Sequence, residues 1–285
     1  VKLIRKIKAP CPKCPYKLGL VQTTANPCPQ CRENRYQTYE RFQQRFLTFA
    51  ERGEAMICVV SDIHGCYDKY RELLKVLCFG KNDTLYVLGD VIDRGPDGFQ
   101  ILLDMAQRPN VVNLMGNHEA MSVDAISYLL GGKLTSEGDG KKALKLWFCN
   151  GGDISLFDFL QLDSEQKKVI WSYLLAMPLY KEIEVNGKRF LLLHGGLDNF
   201  SPERPLEDYA ADEILWCRPN PDTTYYADRY VVFGHTPVQL LTDGKGSGPV
   251  KIYRNENAID IDCGCVFPNG RLGCLCLDTM GEIYV

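Results

Sequence analysis

The stretch MICVVSDIHG, residues 56–65, decides how this chain is read. Met56 to Val60 make a short apolar run, which predicts a buried strand. Asp62 and His64 follow at its end, and burying such groups without partners is costly. Side chains two apart on an extended strand share a face, so both can point at one spot. An oxygen donor and a nitrogen donor aimed at one spot are what a divalent metal takes. A surface turn holding an Asp and a His is the bland alternative, and a short motif alone does not exclude it.

Working outward, the arrangement recurs. Strands expected at 57–61, 84–89 and 111–115 alternate with helices at 67–78 and 97–107, which predicts βαβ units and a largely parallel sheet. Each strand ends in a polar cluster: Asp62-Ile63-His64-Gly65, then Gly89-Asp90-Val91-Ile92-Asp93-Arg94-Gly95, then Gly116-Asn117-His118-Glu119. Asp62 and Asp90 are 28 residues apart, and Asp90 and Asn117 are 27 apart. That is one βαβ period, so the three clusters should share a sheet edge, where open α/β sheets place their sites. Two later apolar runs close on Leu193-His194-Gly195-Gly196 and Gly234-His235-Thr236. The chain has only 4 histidines, and each stands at such a strand end near glycine. Scattered core or surface histidines would not be arranged so.

The rest of the body reads more coarsely. Residues 120–178 are expected to be mainly helical, broken at 131–133 and 150–153. From 180 onward strands are expected at 181–185, 189–194, 229–233, 250–253 and 272–277. Asn-Gly pairs at 186–187 and 269–270 predict hairpins.

The set SDIHG, GDVIDRG, GNHE, HGG and GHT resembles the metallophosphoesterase motifs of the phosphoprotein phosphatase family, over residues 56–285. Asn150-Gly151-Gly152 and the Trp216-x-Arg218 stretch are similar to its bacterial and bacteriophage branch. Ser61 departs from the family's usual Gly. The resemblance implies two active-site metals, with Asp62 and His64 on the first, Asp90 bridging, and Asn117, His194 and His235 on the second. Mixed N/O ligands suit divalent ions, Mn2+ first and Fe, Zn or Co as further candidates. The resemblance also implies Arg94 and Arg218 as a phosphate clamp, a role guanidinium geometry fits. His118 becomes the general acid, with Asp93 orienting it. Glu119 reads as a supporting group, not a ligand. In-line attack by a metal-bound hydroxide, without a covalent enzyme intermediate, is the implied reaction.

Charge divides the chain. Residues 1–55 carry 11 Lys/Arg against 4 Asp/Glu, and the remainder 22 against 32. A basic arm on an acidic body predicts two modules. Cys11, Cys14, Cys28 and Cys31 form two C-x2-C knuckles separated by 13 residues, the spacing of a structural zinc ribbon. Tyr36, Tyr39, Phe42, Phe46 and Phe49 follow at helical spacing. The ribbon could bind nucleic acid, dock a protein or cap the enzyme, with nucleic acid the less favoured. Cys263, Cys265, Cys274 and Cys276 form a second pair of pairs, read as core cysteines in preference to a second zinc site. No apolar stretch reaches the roughly 18 residues of a membrane span. With no secretory h-region at the start, a cytoplasmic, reduced setting is expected for the 13 cysteines.

The expected architecture is α/β: a calcineurin-like two-sheet sandwich flanked by helices (56–285), preceded by a zinc ribbon (1–33) and a linker helix (34–55). The expected activity is metal-dependent hydrolysis of phosphomonoesters, with phosphoserine and phosphothreonine in proteins as substrates. One rival is a symmetrical diadenosine tetraphosphate hydrolase. Asp93 speaks against it, since the resemblance puts that carboxylate with the protein phosphatases. The other rival is a ribbon-based scaffold with a vestigial site. Expected partners are thus a phosphorylated protein or a nucleotide, and no membrane.

Overall fold

The computed structural model describes residues 55–132, 139–220, 222–241 and 249–285. The ribbon cysteines and the aromatic stripe of 36–49 therefore lie outside the described residues. The apolar run after Met56 is strand β1 (Ile57–Val60), and both its faces are covered. Cys58 and Val60 face a core under the helices, while Val59 faces a second core between two sheets. A strand buried on both faces must be apolar throughout, which is why its sequence does not alternate.

Two mixed sheets stack here. In the first, β1 pairs parallel with β2 (Thr84–Val87), which pairs parallel with β3 (Val111–Asn113). On its other side β1 pairs antiparallel with β9 (Gly273–Cys276), and β9 with β10 (Gly281–Tyr284). The second sheet has the order β4-β5-β6-β8-β7. It comprises β4 (Tyr180–Val185), β5 (Lys188–Leu193), β6 (Tyr230–Phe233), β7 (Tyr253–Asn255) and β8 (Ala258–Asp260). Alternation along β5 shows the layering: Phe190 and Leu192 enter the inter-sheet core, and Leu191 and Leu193 a third core on the outer face. The parallel expectation holds for β1-β2-β3 and β5-β6-β8. It is corrected at the edges, where hairpins bring antiparallel strands.

Helices α1 (Tyr67–Val76), α2 (Gly98–Ala106), α3 (Asn117–Leu129), α4 (Gly140–Cys149), α5 (Gly152–Gln161) and α6 (Ser164–Leu175) cover the first sheet. The expected helix breaks are real: Gly131 and Gly151 adopt φ of 70° and 91°. Asn186 and Gly187, at φ 50° and 73°, turn the β4-β5 hairpin as expected. Asn269-Gly270 does not join paired strands; it closes a loop against Gly264 before β9. The strand expected at 250–253 begins only at Tyr253, and β8 and β10 were not anticipated. Among the described residues, no helix is long and apolar enough to cross a membrane.

Candidate active site

Where β1, β2 and β6 run out, the chain turns in left-handed steps. Asp62, His64, Asp90, Asp93, Arg94 and His235 have φ of 52°, 46°, 54°, 67°, 66° and 68°, a region disfavoured for residues with a Cβ. The loops also press together. A Cβ on Gly116 would lie 2.3 Å from Asp90 Oδ1, and one on Gly65 would lie 2.5 Å from the Gly95 carbonyl carbon. Glycine at these points is the steric condition for the loops to meet.

Asp90 is central and buried. Its Oδ2 is 3.6 Å from His64 Nε2 and 3.7 Å from His118 Nε2, and its Oδ1 is 3.4 Å from His194 Nε2. Donor atoms gather in two groups, His64-Asp90-His118 and Asp90-His194-His235, with Asp90 common to both. The amide tip of Asn117 sits 2.9 Å from His194 Nε2, 3.0 Å from His235 Nδ1 and 3.2 and 3.3 Å from the Asp90 oxygens. Asp62 stands beside these groups. Its Oδ2 accepts from the His235 backbone N–H at 2.9 Å and from the Ser61 hydroxyl. The serine at 61 thus holds the aspartate in place.

Protonation follows from the outer contacts. His64 Nδ1 is 2.9 Å from the Ile92 carbonyl oxygen, and His194 Nδ1 is 2.6 Å from that of Leu88. A carbonyl oxygen only accepts, so Nδ1 carries the proton and Nε2 presents its lone pair inward. Burial holds His64, His194 and His235 below the usual imidazole pKa, in the neutral form that binds metals, and burial with Arg94 nearby lowers His118 as well. Burial, with Asp62 and Glu119 nearby, raises the Asp90 carboxyl. With its nitrogen inward, the Asn117 amide donates to its neighbours. With its oxygen inward, it completes a ring of acceptors that a cation satisfies. This donor set fits a pair of divalent N/O-preferring ions.

A second arrangement flanks the first. His118 Nδ1 is 2.6 Å from Asp93 Oδ2. Trp147 Nε1 on α4 donates to both Asp93 oxygens, at 3.0 and 2.9 Å, and the Asp93 N–H donates to Ser155 Oγ on α5 at 2.8 Å. Burial pushes the Asp93 carboxyl up to about 7. Arg94 Nη2 is 3.0 Å from His118 Nε2, its Nη1 is 2.5 Å from His64 Nε2, and its guanidinium lies over the Phe267 ring. The Arg94 N–H donates to Gly151 O at 3.2 Å, which ties the Asn-Gly-Gly break to the arginine. Arg218 is exposed, with Nη1 3.3 Å from His235 O and 3.2 Å from Thr236 Oγ1. Glu119 receives the N–H groups of Asp90, Val91 and Gly116 at 2.8, 2.8 and 3.0 Å, the supporting place expected of it.

Sequence reasoning missed Trp147, Ser155 and Phe267. Their only local signal is that the first two flank the break at 150–152. The four late cysteines do not gather: Cys263 enters the inter-sheet core, while Cys265, Cys274 and Cys276 face the helices. Cys274 and Cys276 meet Cys58 instead.

The described geometry can be set beside known proteins. The model of the calcineurin-like phosphoesterase family matches residues 55–261. Serine/threonine-protein phosphatase 2 of Salmonella typhimurium is 28% identical over 198 residues, covering 65% of this chain and 82% of that protein. The symmetrical bis(5'-nucleosyl)-tetraphosphatase of Wigglesworthia glossinidia brevipalpis is 28% identical over 141 residues, covering 49% and 44%. A crystal structure provisionally assigned as a diadenosine tetraphosphatase superposes with a TM-score of 0.57 at 21% identity, covering 81% of this chain and 92% of its own, a likeness of fold alone. The relatives divide between serine/threonine-protein phosphatases and bis(5'-nucleosyl)-tetraphosphatases. With its buried His/Asp cluster and its matching family model, this chain belongs to the calcineurin-like phosphoesterases and is a metal-dependent phosphoesterase.

Proposed function

We propose that the protein hydrolyses phosphomonoesters, with phosphoserine and phosphothreonine side chains of proteins as its substrates. The observation that carries this reading is the His118-Asp93 pair, buried and held from behind by Trp147. A serine or threonine alkoxide is a basic leaving group that needs a proton as the bond breaks. His118 Nε2 faces the Asp90 centre; once a bound phosphate draws Arg94 away from it, the ring takes up a proton there and delivers it, while Asp93 fixes the ring and stabilises its charged form. Asp62, His64, Asp90, Asn117, His194 and His235 would hold two divalent ions. When bound, such ions supply Lewis acidity at the phosphoryl group and acidify a water nucleophile. Arg94 orients the phosphate beside His118, and Arg218 reaches it from the exposed rim.

A second reading, hydrolysis of dinucleoside tetraphosphates, is favoured by the similarity to a tetraphosphatase. A phosphate leaving group is less basic and gains less from His118. The two separate in one comparison of kcat/KM for a phosphoserine peptide and diadenosine tetraphosphate in the same Mn2+ buffer. We expect the peptide to be preferred, and preference for the dinucleotide overturns the assignment. The basic arm is proposed as a zinc-held ribbon over 1–33 and a linker helix over 34–55, separable from catalysis by the 56–285 domain.

A further inference from the structure

Three cysteines meet under the helices, away from the Asp90 centre. Cys58 on β1 and Cys276 on β9 are direct partners across the antiparallel pair, and Cys274 lies two residues along β9 on the same face. Their sulfurs all lie within 4.8 Å of one another, and Cys58 Sγ is 2.9 Å from Cys276 Sγ. Met56 Sδ is 4.0 Å from Cys276 Sγ. Exposure is 1%, 0% and 5% for Cys58, Cys274 and Cys276.

Cysteine in a core usually acts as a small hydrophobe, spaced among methyl groups. These three instead point their sulfurs at one another. Hydrogen bonds from Cys274 and Cys58 draw the Cys276 thiol well down, while the thiols of Cys58 and Cys274 are pushed well up.

We propose that Cys58, Cys274 and Cys276 form a structural site for a thiophilic closed-shell cation, Zn2+ in the first instance, with the Met56 thioether beside Cys276 as a further soft donor. Thiolate and thioether donors select such ions. With three thiolates, Zn2+ leaves one residual charge in the core and Cu+ leaves two, and burying charge is costly. The edge of a tetrahedral zinc–thiolate site is about 3.8 Å, from a Zn–S length of about 2.3 Å. Cys58 and Cys276 therefore spread by roughly 0.9 Å, shared between two flexible side chains. Binding displaces the protons of the three thiols to solvent, and no redox step is involved. The ion staples β9 to β1 on the strand that delivers Asp62 and His64.

Cobalt(II) tests the site, because thiolate-to-cobalt charge transfer reports sulfur ligands and not the His/Asp centre. In the full chain with Cys11→Ser, Cys14→Ser, Cys28→Ser and Cys31→Ser combined, the charge-transfer band should persist, and adding Cys274→Ser should abolish it. A folded quadruple variant with no band overturns the proposal. If that variant does not fold, the wild-type protein decides. After chelation of loosely held ions, a mercurial thiol reagent should release twice the zinc that a single four-cysteine ribbon holds. Release of the ribbon's share alone, or a Cys58–Cys276 disulfide in non-reduced peptide maps, overturns it.

Discussion

The two halves of the candidate site are fixed by different means. Around His64 and His194 the rings are set by main-chain carbonyls, those of Ile92 and Leu88. Around His118 the ring is set by a chain of side chains, Asp93 and then Trp147, with Ser155 receiving the Asp93 N–H. A carbonyl acceptor comes with the fold and survives most substitutions. A side-chain relay depends on particular residues on α4 and α5 and can be detuned one member at a time. The first half therefore behaves as a fixed cage, and the second as the adjustable part of the machine.

The largest effect should come from the one residue the halves share. Asp90→Asn removes a carboxylate charge between both groups, and kcat/KM should fall about a thousandfold, the several kcal/mol ascribed to metal electrostatics. Steady-state kinetics with saturating Mn2+ checks this, and near wild-type turnover would show that the two groups are not coupled through Asp90.

Next in size is His118→Asn, with an expected loss of roughly 10²–10⁴ in kcat. The loss should be greater for phosphoserine than for nitrophenyl phosphate. Equal losses on the two substrates would reduce the ring to a positioning group.

Trp147→Phe keeps most of the buried ring and removes only the donor to Asp93. We expect about a tenfold drop in kcat, the lower range for loss of a supporting hydrogen bond, with KM little changed. Stability should fall by about 1–3 kcal/mol, because a buried carboxylate loses a partner. Denaturant unfolding beside kinetics separates the two effects. A stability loss with unaltered kcat would break the relay.

The smallest effect belongs to Arg218→Ala. Arg218 is exposed, and among the described residues its guanidinium donates to the His235 carbonyl and the Thr236 hydroxyl. Vanadate inhibition should weaken severalfold, by about 1 kcal/mol, as for one exposed charge-assisted contact. Unchanged inhibition would leave phosphate binding to Arg94.

Legibility in the sequence follows the same divide. The strand-end clusters were readable because they depend on local rules: apolar runs and the βαβ repeat that carries Asp62, Asp90 and Asn117 to one edge; the expectation that Asp62 and His64 share a face of an extended strand is corrected, since both stand past Val60 in left-handed turns. The outer members of the relay were not readable, because Trp147 meets Asp93 only once α4 has packed over the first sheet, and no spacing encodes that contact. Three-residue β8 and the Gly-Glu start of β10 are too short or too polar to register as strands. Asn269-Gly270 carries a hairpin signature, yet the chain uses it for a loop against Gly264. Cys58 could not be joined to Cys274 and Cys276 from spacing, because that pairing needs the antiparallel register of β9 on β1.

The left-handed turns at Asp62, His64, Asp90, Asp93, Arg94 and His235 carry a consequence for selection. Non-glycine residues in that region cost of order 1–3 kcal/mol each, and the rest of the fold must hold them there. Glycine at Asp93 or Arg94 would relax the backbone while deleting the side chain that acts. Evolution in the laboratory for heat tolerance alone should then drift toward glycine at these turns and deliver sturdier, inactive proteins. Screens that demand turnover as well should retain the tense residues and gain their stability elsewhere.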